Sequence, residues 1–128
     1  MINFTLETPS NAISVGSCDA QGIRIGGRYH SQSLLLDPQQ VQPWPPTRFA
    51  QLDSDCLELL LQRPADVYLI GTGLRQRFID VRLLAGFYRR GLGVEVMHSA
   101  AACRTFNILV AEGRRPVAGI VFEATSAA

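Results

Sequence analysis

The chain contains no lysine: all twelve of its basic residues are arginine. A Schiff base and a Walker-type phosphate loop each require a lysine amine, so pyridoxal enzymes, class I aldolases and P-loop NTPases are excluded. Histidine is nearly as scarce, with only His30 and His98, and the three cysteines, Cys18, Cys56 and Cys103, form neither a C-x-x-C nor a zinc pattern. No metal and no cofactor are expected, and the thiols are expected to be reduced. No stretch approaches the ~18 consecutive apolar residues of a membrane span, so no membrane partner is expected. Residues 1–7 lack the basic and apolar regions of a secretory signal and the arginine-rich character of a transit peptide. The expected location is the cytoplasm of a bacterial cell.

What is present suits one folded unit. A chain of 128 residues, 47% hydrophobic and 18% charged, can bury roughly two thirds of the surface that its unfolded form exposes. Residues 1–12 read as a flexible N-terminus and residues 13–128 as a single domain. The net charge of +1 argues against a strongly steered partner such as duplex DNA.

The first half reads as strands. Residues 13–18 alternate apolar with small or polar side chains, Asp19, Gln21 and Gly22 supply turn chemistry, and Ile23-Arg24-Ile25 resumes the alternation. With Ser33-Leu34-Leu35-Leu36, which stops at Asp37-Pro38, three antiparallel strands are predicted. The Pro43-Trp44-Pro45-Pro46 knot reads as a bend.

The second half reads as α-β-α-β-α-β. Asp55 with Glu58 is the predicted capping box of a helix carrying Cys56, Leu57, Leu60 and Leu61 on one face. Val67-Tyr68-Leu69-Ile70 is apolar throughout, the habit of a strand covered on both faces. Asp80 is the predicted cap of a second helix, with Val81, Leu84 and Tyr88 as its stripe and Arg89-Arg90-Gly91 as its stop. A strand at 94–97 follows. Ser99 is the predicted cap of a third helix burying Ala102, Cys103, Phe106, Leu109 and Val110, and a strand at 117–122 ends the fold.

Parallel strands bring the loops at their carboxyl ends together, and open α/β sheets bind ligands in that crevice. Here the loops are Gly71-Thr72-Gly73 and His98-Ser99, with the start of the third helix aimed between them. A turn after a buried strand also explains the glycines without any ligand. Gly71-x-Gly73 is not a dinucleotide fingerprint, because the third glycine position holds Gln76. Asn107 stands about 100° from the centre of the buried stripe, where it either satisfies neighbouring backbone or contacts a ligand together with Arg104. Cys103 reads as a small core residue, and no elbow motif accompanies His98. Five arginines between Arg75 and Arg90 face one acid, Asp80. Without interleaved exposed aromatics that patch gives little support for nucleic-acid binding.

Several segments together resemble one family. Ser33-Leu34-Leu35-Leu36 with Trp44, Leu69-Ile70-Gly71-Thr72-Gly73, Val94-Glu95-Val96-Met97, the block Ala101-Ala102-Cys103-Arg104-Thr105-Phe106-Asn107-Ile108-Leu109 and Glu112-Gly113-Arg114 occur in the order of the Mth-type domain family. That family of unknown function includes a mitochondrial complex I assembly factor and the adipogenesis-associated Mth domain protein. The resemblance covers nearly all of the chain from Ile13 onward. It implies a three-layer α/β domain with a central mixed sheet, flanking helices and a small additional β layer from the N-terminal half. It implies no reaction. Where the family carries a polar residue followed by threonine, His98-Ser99 keeps the hydroxyl.

Two functions follow as expectations. One is a non-catalytic protein-interaction or assembly-factor-like domain with another protein as partner. The alternative is a small-molecule-binding or enzymatic crevice formed by Gly71, Thr72, Gly73, His98, Ser99, Arg104 and Asn107. The oligomeric state is open, since the terminal strand and the first hairpin can each be a covered edge or a dimer contact.

Overall fold

A computed structural model describes residues 12–13, 15–19 and 21–123. The expected flexible segment, apart from Ala12, lies outside the described residues, as do Ser14 in the first expected strand and Ala20 in its turn.

The apolar runs of the second half form the middle of a five-stranded sheet. Strand β6 (Val67–Gly71) is buried along its whole length and pairs in parallel with β7 (Gly93–Met97) and β8 (Pro116–Ile120). Strand β4 (Leu34–Leu36) pairs antiparallel with β8 and with β5 (Val41–Pro43), giving the order β5-β4-β8-β6-β7. The period of two then divides the side chains between the faces. Val67, Leu69, Leu34, Leu36, Ala118 and Ile120 join one core cluster, whereas Tyr68, Ile70, Leu35, Val117 and Val121 join the other.

Each face has its own cover. Helix α3 (Ser99–Ala111) packs on the first face through Ala102, Cys103, Phe106 and Val110. Helices α1 (Ser54–Leu61) and α2 (Ala85–Arg89) pack on the second through Cys56, Leu57, Leu60 and Phe87. The connections β6-α2-β7 and β7-α3-β8 run in opposite directions along the sheet. Right-handed crossovers therefore put their helices on opposite faces. Trp44 completes the second core: its indole N–H donates to the Cys56 carbonyl at 3.1 Å, and its ring lies over Gly119, where a Cβ would come within 2.6 Å of it.

A small antiparallel sheet lies beside α3: β1 (Val15–Cys18), β2 (Ile23–Ile25) and β3 (Arg28–His30). The predicted β1-β2 hairpin is present. The third strand differs, because β3 occupies the place expected for residues 33–36, and β4 belongs to the large sheet. Gly26 and Gly27, both at positive φ, make the two-residue turn between β2 and β3. The outward Arg28 and Tyr29 hide β3 from an alternation search.

The helix starts also differ from expectation. Asp53, not Asp55, caps α1, accepting from the Cys56 N–H at 2.9 Å. Asp80 starts no helix: its carboxylate accepts from the Arg82 backbone and guanidinium, which hold its pKa down at about 2, and α2 begins only at Ala85. Val81 and Tyr88 of the predicted stripe are exposed. His98, not Ser99, is the N-cap of α3, its Nδ1 accepting from the Ala101 N–H at 3.2 Å.

Candidate functional site

Strand β6 ends where α3 begins, and the two are in close contact. A Cβ at Gly71 would sit 2.9 Å from both the Cα and the Oγ of Ser99. Glycine is what allows the helix to approach, a packing role for the first residue of the turn. The Ser99 hydroxyl is buried and donates to the Val121 carbonyl at 2.6 Å while accepting from the Gly73 N–H at 2.8 Å. The Ser99 N–H donates to the Gly73 carbonyl at 2.9 Å. One side chain thus ties together the ends of β6, β8 and α3.

Thr72 closes the loop that follows. Its hydroxyl donates to the Arg75 carbonyl at 2.7 Å and accepts from the Arg77 N–H at 3.2 Å. Two N–H groups at the start of α3 are engaged as well, Ser99 with Gly73 and Ala101 with His98. Gly71, Thr72, Gly73, His98 and Ser99 are therefore brought together, and their hydrogen bonds are internal.

Arg104 and Asn107 belong to a different place. The Asn107 amide accepts from the Val15 N–H at 2.9 Å and donates to the Val15 carbonyl at 2.6 Å, so it pairs with β1 as another strand would. Further along the same contact, the sulfurs of Cys18 and Cys103 lie 3.0 Å apart. Arg104 is exposed, and its charge favours the thiolate form of both cysteines. Three open cavities of 380, 400 and 330 Å³ lie elsewhere, around β3 and β5, the Pro38 turn, and the Trp44-Pro46 knot. None is lined by the seven candidate residues.

Sequence reasoning missed several neighbours. The Glu123 carboxylate lies against Gly73 and accepts from the Phe49 N–H at 2.9 Å, and the Arg77 guanidinium sits 5.5 Å from the centre of the Phe49 ring. The loop after Gly73 exposes large apolar side chains: Phe78 at 91%, Leu74 at 73% and Val81 at 69%. Their i, i+4, i+7 spacing is that of one helical face, yet residues 74–80 form no helix and all three side chains are left exposed. Among the described residues, no three His, Cys, Asp or Glu side chains are grouped to hold a metal ion, and no helix is long and apolar enough to cross a membrane.

A family model described as a protein of unknown function, DUF498/DUF598, matches residues 15–121. The chain belongs to that family. Among its relatives, the human NADH dehydrogenase (ubiquinone) 1 alpha subcomplex assembly factor 3 is 29% identical over 122 residues, 94% of this chain and 66% of the relative. The chain thus spans just under two thirds of that protein's length. A crystal structure of a protein from Bordetella parapertussis superposes with a TM-score of 0.83 at 30% identity, covering 90% of this chain and 100% of the other. A solution structure of a Mth938-like domain from Bordetella pertussis shares the fold at a TM-score of 0.78 and 24% identity, over 98% of this chain and 96% of its own. The Mth-type resemblance and the three-layer α/β expectation both hold.

Proposed function

We propose that this DUF498/DUF598 chain works by contact rather than by catalysis, as an assembly-factor-like protein-interaction domain of the cytoplasm. One observation carries the reading: at the carboxyl end of the parallel strands the polar groups are turned inward, and Leu74, Phe78 and Val81 are turned outward. Apolar side chains exposed along one loop, interspersed with exposed Arg75 and Arg77, suit a protein partner that offers apolar and acidic groups. The likeness to a named assembly factor supports the same reading, and three free cysteines suit a reducing compartment. A small molecule at Gly71-Thr72-Gly73 would have to break hydrogen bonds of Ser99 or Thr72, at about 1–3 kcal/mol for each buried group left without a partner. That cost favours the contact reading.

The test is affinity capture from the native cell with the wild type and with a Leu74→Ser, Phe78→Ser double variant. One specific protein should be retained by the wild type, and the variant should bind it about thirtyfold more weakly, the loss expected of a contact hot spot. Equal retention by both would dismiss this loop as the surface. No specific protein on the wild type would dismiss the contact reading itself.

A further inference from the structure

Cys18 in β1 and Cys103 in α3 are 85 positions apart in the chain, yet their sulfurs meet at 3.0 Å. The contact belongs to the docking of β1 along α3. Asn107 holds the Val15 end of the strand through both amide groups, and an irregularity in the β1-β2 register lies between Val15 and Cys18. One helical turn before Asn107, Cys103 meets Cys18. Both thiols are free, Cys103 buried and Cys18 half-buried. About 1 Å of further approach separates them from the ~2.05 Å of a covalent S–S bond.

We propose that Cys18 and Cys103 form a thiol-disulfide exchange site that takes low-molecular-weight disulfides as its oxidant and closes a reversible bond between β1 and α3. Cys18 attacks first, since it is the more accessible sulfur. Its thiolate, the proton having gone to water, bonds to one sulfur of the small disulfide; the S–S bond breaks, and the first small thiolate leaves and takes a proton from water. Cys103 then attacks the Cys18 sulfur of the mixed disulfide. Its proton passes to the second small thiolate as that group departs. Two protein thiols lose two electrons and two protons, and the small disulfide is reduced to two thiols.

The surroundings favour this order. The Cys103 thiol hydrogen-bonds to Cys18 and holds its pKa below the ordinary thiol value, and Arg104 adds to the lowering, against burial and the charge of Asp19. Cys103 is pushed up by the same partner and by burial, so it stays protonated until Cys18 has reacted. Cys56 supplies an internal control, because it lies in the core on the opposite face of the sheet, its thiol directed at the Gln51 carbonyl.

The experiment exposes the folded full chain to oxidised glutathione and follows intact mass, free thiols after unfolding, and cross-linked peptides. The wild type should lose two hydrogens, retain one free thiol at Cys56, yield a peptide joining Cys18 to Cys103, and recover on reduction. Cys103→Ala should stop at a glutathione adduct on Cys18, and Cys18→Ala should form no adduct on Cys103 during the same exposure. The wild-type peptide map decides the matter even if a variant folds poorly. Retention of three free thiols by the wild type, or a lasting glutathione adduct in place of the internal bond, would overturn the proposal.

Discussion

Ser99 and Asn107 show how polar residues in a plausible site can be committed to the fold. Ser99 is buried and joins Gly73 to Val121. Removing its oxygen leaves an N–H and a carbonyl without partners, so Ser99→Ala should lower stability by about 2–3 kcal/mol in urea unfolding. Asn107→Ala removes both bonds to Val15 and should cost a similar amount; a change under ~0.5 kcal/mol would mean that β1 is held without it. Gly71→Ala tests the close approach of α3, because the added methyl meets the Cα of Ser99 rather than a flexible side-chain tip. Backbone must move, at about 3 kcal/mol. The sequence showed that Asn107 stands on a boundary, but it marked Gly71 as a turn residue where the structure makes it the end of β6, packed against α3. It did not show which groups they meet, since Val15 is 92 positions from Asn107, and no local pattern encodes that distance.

At the scale of elements, legibility followed local periodicity. β6, β7, α3 and β8 were readable because their apolar residues recur with a period that one environment can satisfy. The strand β3 was not, because only the Gly26-Gly27 turn marks it and its outward residues are polar. The expected long second helix fails for a related reason: Asp80 engages Arg82 in a local turn, and exposed Val81 supplies no packing to offset the entropy of an added helical turn. Helix α1 carries a pH prediction. The Cys56 N–H holds the Asp53 carboxyl below its ordinary value. A lowered folded pKa means that the cap contributes fully above the ordinary carboxyl range and fades as pH falls through the lowered value. The stability advantage of the wild type over Asp53→Asn should therefore be greatest near neutrality and shrink in acid, as read from urea midpoints at several pH values. An advantage independent of pH would contradict that account.

Across the whole molecule, two cores share one sheet, with residues of β4, β6 and β8 alternating between them. Neither core can dissolve without exposing the strands that form the other. The two cores should therefore unfold as one unit, with calorimetric and van't Hoff enthalpies in agreement; two separable heat-absorption peaks would refute it. Closing a bond between positions 85 apart should stabilise the oxidised chain by roughly 4–5 kcal/mol on a chain-entropy account, provided that little strain enters. Trp44, the chain's sole tryptophan, adds a practical consequence. It is buried against Gly119 and bonded to Cys56 on the side away from Cys18 and Cys103. Its emission is a built-in optical reporter of the α1 side of the sheet. Oxidation should leave that fluorescence unaltered in the native protein while shifting the denaturant concentration at which it changes, so that one dye-free measurement separates a local chemical event from a global gain in stability.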